Sequence, residues 1–484
     1  MSNFHRICLT VFFIGYSALT MAQAPAASHR ISAHLKGLSN KTAYLANYFG
    51  PTQYIPRDTA QSDAEGRLLF DGANTLPEGL YMIVVDAKPV MQLVIGEQNF
   101  SFEADTADIV GTIKFAAPGE SALFYDYQKF LQKQYKQITA IRNQNGANNQ
   151  TQIAALQKES NTYRTDFIKK NPKSLTVKLL QAVAEPEVPP APKLANGRPD
   201  SLFVFNYYKS HFFDGFDFSD ERLLRSPFVQ QKLDRYLKEL TVQTVDSLIK
   251  EADYLVGRAK ANKEMLSYTI WYITNQYEQS KVIGLDGVFV HMAEKYYLTG
   301  VMPLSDTASL SSIRKRAQIL KPLLAGKIIP NMSAQDSLGR PQALHSVKGE
   351  YVVAFMYDPD CGHCKESAPK LKKFFEDHRA KGMQVYAVAI NNTPEKWRQF
   401  VREQKLQGMV HVYGPSSGIN FEQKYDVYST PTVYFLDKNK KILARRLPVE
   451  ELESYFQFMQ RQQPAKPKAP TPTAKAGSAA STKK

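Results

Sequence analysis

Four residues constrain this 484-residue chain most: Cys361-Gly362-His363-Cys364. The chain has three cysteines, and the third, Cys8, lies inside an N-terminal segment that has the pattern of an export signal. A processed chain would therefore keep two thiols, two residues apart, and no others. Such a pair cannot staple a large fold. It can cycle between dithiol and disulfide, supply half of a zinc site, or form a local structural bridge.

The flanking residues favour the redox reading. Tyr351-Val352-Val353-Ala354-Phe355-Met356-Tyr357 is a short apolar, β-rich run of the kind buried in a sheet centre. Asp358-Pro359-Asp360 breaks it. From Cys364 onward, Ala368, Leu371, Phe374 and Phe375 recur at helical spacing, with Lys370, Lys372 and Lys373 on other faces. Cys361 is thus expected where a strand hands over to a helix N-terminus, whose unpaired N–H groups and dipole stabilise a thiolate. Cys364, one turn in, is expected to be more enclosed. A zinc reading needs two more ligands. His363, His378 and His411 are available, but there is no second CxxC, and His363 lies between the cysteines. Neither a metal nor another cofactor is expected.

Further motifs follow. Val385 to Ile390 is a second apolar strand, and a helix beginning near Pro394 places Trp397, Phe400 and Val401 on one face. Ser429-Thr430-Pro431-Thr432 precedes strand Val433 to Asp437, with a further strand around Ile442-Leu443-Ala444. Over residues 326–462 this arrangement resembles the exported, TlpA-like branch of the thioredoxin superfamily. The resemblance implies an α/β thioredoxin fold and a thiol–disulfide oxidoreductase. Cys361 would attack a substrate disulfide and Cys364 would resolve the mixed disulfide. Thr430 would offer its backbone to the substrate chain, ahead of a cis Pro431. X–Pro bonds alone adopt cis cheaply, and Pro431 lacks the N–H of a central strand position. An ordinary trans proline at a strand start is the alternative.

Two positions depart from the family pattern. Phe355 stands where thioredoxins keep a buried carboxylate, and Ser367 where the TlpA-like branch often has Glu. The neighbouring Glu366 would point about 100° away around the helix; it is either a proton acceptor acting through water or a surface residue. The Gly362-His363 dipeptide resembles that of protein disulfide isomerase. His363 beside a thiolate favours the reduced form, toward a potential of about −180 mV rather than thioredoxin's −270 mV. The Thr/Ser-rich loop with a peroxidatic cysteine that marks the peroxidase branch is not found.

The whole chain is expected to be multidomain: an all-β sandwich, a mostly α region, then the α/β thioredoxin fold. Arg6, an apolar stretch from Leu9 to Leu19 and Ala22-Gln23-Ala24 read as a signal peptide over residues 1–24. No later segment reaches transmembrane length, so the periplasm or cell envelope is the expected location. Residues 25–118 read as the β-sandwich, with short strands separated by turns such as Asp63-Ala64-Glu65-Gly66 and Pro77-Glu78-Gly79. Residues 119–325 read as helical, including an aromatic cluster, Phe212-Phe213-Asp214-Gly215-Phe216-Asp217-Phe218. Residues 463–484 read as a disordered basic tail, which holds five lysines of a chain with formal charge +15. What remains is only moderately basic, and nucleic acid is not an expected partner. The expected partners are protein disulfide substrates and an external thiol donor or acceptor, with reduction or isomerisation as the direction. The alternative is an envelope binding or structural protein whose thioredoxin module docks or senses.

Overall fold

A computed structural model describes residues 28–50, 53–143, 149–278, 280, 282–304 and 306–462. The expected signal peptide and basic tail lie outside the described residues. Two compact units emerge, residues 1–242 with 254–266, and residues 243–253 with 267–484.

The first unit begins with eight strands: β1 (His29–Lys36), β2 (Thr42–Phe49), β3 (Gln53–Gln61), β4 (Arg67–Gly72), β5 (Gly79–Val85), β6 (Lys88–Ile95), β7 (Asn99–Asp105) and β8 (Lys114–Phe115). They form two four-stranded sheets, β4-β1-β7-β8 and β3-β2-β5-β6. Alternate residues of both sheets meet in one core: Ile31, Ala33, Leu35, Phe70 and Phe102 from the first, Leu45, Tyr81, Ile83, Leu93 and Ile95 from the second. Period-two alternation produces this, because successive side chains leave a strand on opposite faces. β5 is buried on both faces. Its outward Met82 and Val84 pack with Ala46 in a second small cluster, near which Arg222 reaches back to Glu78 at 2.9 Å.

Helices Glu120–Arg142, Asn149–Lys170, Leu175–Val183, Phe203–His211 and Phe228–Lys238 continue this unit. The aromatic run lies inside it, with Phe212, Phe213, Phe216 and Phe218 each no more than 5% exposed. Ring contacts such as Phe216–Phe218 at 4.7 Å hold the cluster together.

The second unit is built on a seven-stranded sheet. Its strands are β9 (Ser333–Gln335), β10 (Pro341–Ala343), β11 (Tyr351–Tyr357), β12 (Met383–Ala389), β13 (Val410–Tyr413), β14 (Thr432–Asp437) and β15 (Ile442–Arg445), in the order β10-β9-β13-β12-β11-β14-β15. β11 runs parallel to β12 and antiparallel to β14. The sheet is buried on both faces. Val353, Phe355 and Tyr357 face one core, under the helices Gly362–His378, Pro394–Glu403 and Leu452–Gln462. Val352, Ala354 and Met356 face the other, which includes Phe421, Tyr425, Ile319 and Leu323. The last two come from the end of helix Thr307–Leu320 and the turn Lys321–Leu323. This explains why β11 reads as a continuous apolar run, as strands covered on both faces do. No helix among the described residues is long and apolar enough to cross a membrane.

Candidate functional site

β11 is released into a helix by a short turn whose polar side chains fix its shape. Asp358 Oδ1 accepts from the Asp360 N–H at 2.9 Å, and the Asp358 carbonyl accepts from the Cys361 N–H at 3.1 Å. Asn391 and Asn392 donate to the same carboxylate, and Lys396 pairs with Asp360. Thr393 caps the helix Pro394–Glu403 by accepting from the Lys396 N–H. The turn and that helix are therefore tied together.

Cys361 occupies the N-cap of helix Gly362–His378 in an extended conformation. Its thiol donates to the Thr430 carbonyl at 3.3 Å. The Thr430–Pro431 peptide is cis. Burial alone would raise the Cys361 thiol. Hydrogen bonds from the Thr430 side chain, the Cys364 thiol and the Cys364 and His363 N–H groups outweigh it, so the thiol lies below the ordinary value. Cys364 is fully buried. Burial pushes its thiol up to about 12, against a hydrogen bond from the Asp358 backbone, and the neighbouring Cys361 adds to the rise. Neither cysteine is bridged. Of the residues singled out in the sequence, Cys361, Cys364, Thr430 and Pro431 come together here.

Gly362 and His363 face outward. A Cβ on Gly362 would meet no heavy atom within 4 Å. The His363 side chain is 85% exposed and the Glu366 side chain 74%, their nearest charged atoms 3.6 Å apart. Ser367, by contrast, is buried in the same helix. His378 pairs with Glu453 at 2.6 Å, and His411 meets the Leu406 carbonyl at 2.7 Å. Both histidines are thus engaged elsewhere.

Sequence reasoning did not single out Tyr357 and Trp397 as polar neighbours of this site. Tyr357 stacks on Phe355 at 5.2 Å and on Phe400 at 4.7 Å. Its hydroxyl and the Trp397 Nε1 are buried and lie near one another, yet neither has a partner in hydrogen-bond geometry among the described residues. Burial holds the Tyr357 phenol above its usual range; Trp397 opposes this and Cys364 adds to it. Both are ordinary apolar-face aromatics in the sequence pattern, and only the fold sets the Tyr357 hydroxyl near Cys364 and the Trp397 nitrogen near that hydroxyl.

A central parallel strand pair, a helix springing from the first strand with a thiol at its N-terminus, and a cis X–Pro peptide opposite that thiol together define a thioredoxin-like domain. Comparison with known proteins narrows the class. Residues 325–445 match the model of the AhpC/TSA family. Residues 143–320 match that of a "Domain of unknown function (DUF5106)". Thiol-disulfide oxidoreductase ResA of Bacillus cereus is 25% identical over 135 residues, 27% of this chain and 76% of that protein. Among solved structures, a domain described as a possible thiol-disulfide isomerase, from Cytophaga hutchinsonii, is 38% identical. It covers 29% of this chain and 95% of its own, with a TM-score of 0.28. A thioredoxin-like protein from Bacteroides caccae is 16% identical, covers 56% of this chain and 99% of its own, and has a TM-score of 0.45. The C-terminal domain is an AhpC/TSA-type thioredoxin-like domain, and the chain is a thiol–disulfide oxidoreductase related to ResA.

Proposed function

We propose that this protein is exported and that Cys361 and Cys364 reduce or isomerise protein disulfides in the cell envelope. The observation that carries this reading is the asymmetry of the two thiols: one lowered and half-exposed at a helix N-terminus, the other buried and raised. The Cys361 thiolate attacks a substrate disulfide. One substrate sulfur leaves as thiolate, and a Cys361–substrate disulfide forms. Cys364 then gives up its proton and attacks Cys361. The second substrate thiol is released, and the enzyme is left oxidised by two electrons. An external dithiol donor returns it to the reduced state. In isomerisation, the released thiolate attacks another disulfide of the substrate, the different thiolate this frees displaces Cys361 from the mixed disulfide, and the enzyme leaves reduced. Thr430, with its carbonyl on Cys361, is the backbone against which an extended substrate segment would pair. The outward Gly362 leaves room for that approach. Export rests on the N-terminal pattern from Arg6 to Ala24.

One experiment tests both parts. The protein is recovered from the envelope fraction, its N-terminus is read by mass, and it is assayed for insulin reduction with dithiothreitol. The expected results are a chain starting after Ala22 or Ala24, and turnover that Cys361→Ser reduces to background. Cys364→Ser should accumulate a covalent Cys361–substrate adduct, because resolution is lost. Full activity of Cys361→Ser would reject the dithiol reading, and an intact N-terminus would reject export.

A further inference from the structure

The substrate-facing loop is anchored from an unexpected direction. Asp426 ends the short helix Phe421–Tyr425 in a left-handed conformation, φ 54°, four residues before Thr430. Its carboxylate is completely buried and meets three guanidinium groups. Arg445 and Arg446 each approach Oδ2 at 2.7 Å. Arg316 bridges both oxygens, contacting Oδ1 closely and Oδ2 at 3.5 Å. Arg445 also binds Asp286 through Nε at 2.6 Å, and Glu278 lies 3.9 Å from Arg316.

Arg445 and Arg446 belong to the end of the sheet itself. Arg316 does not. It comes from helix Thr307–Leu320, which precedes the segment matched by the AhpC/TSA family and lies within the segment matched by the domain of unknown function. Arg316 makes a second contact: its guanidinium carbon is 5.5 Å from the centre of the Tyr428 ring. Tyr428 is 56% exposed and stands two residues before Thr430. One side chain therefore holds both the buried start of the loop, Asp426, and its exposed aromatic, Tyr428. A bidentate arginine fixes direction as well as distance, and stacking on an aromatic face adds a second constraint.

We propose that Arg316 is a positioning residue for the redox reaction: it sets the loop 426–430 so that Tyr428 presents its ring to the substrate beside the Thr430 backbone. The helix Thr307–Leu320 then belongs to the substrate-binding machinery, and the favoured substrate is an extended polypeptide with an apolar or aromatic side chain near its disulfide. The inference rests on the dithiol reading above. Arg316 touches neither thiol directly, so its effect falls on docking rather than on sulfur chemistry.

The test uses the full chain and four variants: Arg316→Gln, Arg316→Lys, Tyr428→Ala and the double variant Arg316→Gln/Tyr428→Ala. Each is assayed for KM and kcat on insulin and for the rate of Cys361 alkylation by iodoacetamide. Arg316→Gln should raise KM about 5- to 10-fold while kcat and the alkylation rate stay within about two-fold. Arg316→Lys, which keeps the charge but not the two-oxygen geometry, should recover part of the loss. Tyr428→Ala should raise KM similarly, and the double variant should be no worse than either single one, since contacting residues are not additive. The fold should survive Arg316→Gln because Asp426 keeps Arg445 and Arg446. An unchanged KM, fully additive losses, or a parallel fall in alkylation rate and melting temperature would overturn the inference. Failure of the unaltered protein to reduce insulin would reject the dithiol reading itself, and this inference with it.

Discussion

Strands β5 and β11 are each seven residues long, and both are buried along their central stretch on both faces. Gly79–Val85 and Tyr351–Tyr357 differ little in apolar character, yet only the second leads into a pair of thiols. Their exits make the difference. β5 turns straight back through Asp86 and Ala87, both at positive φ (51° and 59°), and pairs antiparallel with β6. A two-residue turn of this kind consumes the strand's hydrogen-bonding groups in the ladder. β11 instead leaves through Asp358-Pro359-Asp360 into a helix, and its parallel neighbour β12 is reached only after that helix. A helix start always leaves N–H groups without intrahelical partners. Placed at the end of a central strand, they face the sulfur of Cys361. What sets the two strands apart is how each ends, more than what it contains.

The largest effects that sharpen this contrast come from truncating the two cores. Ile83 and Phe355 are both fully buried. Ile83→Ala and Phe355→Ala should each cost about 2–5 kcal/mol, read by urea or thermal unfolding. Only Phe355→Ala should also alter the alkylation of Cys361 and Cys364, because Phe355 shares their core. A change in thiol reactivity from Ile83→Ala would break the distinction between the two strands.

A smaller effect is in the pH dependence of the thiols. Thiolate is the reactive form, so alkylation accelerates as pH rises through a thiol's pKa and then levels off. Cys361 lies below the ordinary value, so its profile should level off at a lower pH than that of an ordinary cysteine thiol. Cys364, pushed up to about 12, should stay silent through that range. Peptide mapping after iodoacetamide at stepped pH measures both. Equal profiles would remove the argument from the helix N-terminus.

Much of this centre is legible in the chain. The apolar run of β11, the Pro359 break and the helical spacing after Cys364 locate the thiol pair and its asymmetry without a structure. The Thr393-Pro394 start of the following helix is equally plain, since its cap and first-turn proline are local features. Thr430 is different. Only the resemblance to thioredoxins brings it to Cys361, across 69 residues. Helix Asn149–Lys170 is harder still, because it buries a single residue, Phe167, and its polar face gives little periodicity. The three-residue strands β9 and β10 are too short for a pattern. The Asp426 cluster joins residues 286, 316, 426 and 445, each of which reads alone as a surface charge. No window of sequence holds them together.

The smallest expected effects are at the two exits themselves. Ala87 pays the steric penalty of a left-handed residue that glycine avoids, so Ala87→Gly should stabilise the protein by up to about 1 kcal/mol. Gly362 has open space at its Cβ position and no positive φ, so Gly362→Ala should change stability by less than about 0.5 kcal/mol. Paired thermal melts check both. A large loss from Gly362→Ala would mean that the β11 exit, too, depends on a special backbone.

The helix Thr307–Leu320 also bears on where this chain can be cut. A fragment that starts at residue 326, where the sequence motifs begin, discards Ile319 and Leu323 from one face of the sheet. It also deprives Arg445 of Asp286, with which it shares a buried ion pair. Arg445 keeps Asp426, but a buried guanidinium that loses one of its two acids is less well compensated than in the whole chain. A redox unit cut upstream of Asp286 keeps both acids of Arg445, whereas a fragment drawn by motif alone would hold Arg445 and Arg446 on Asp426 alone.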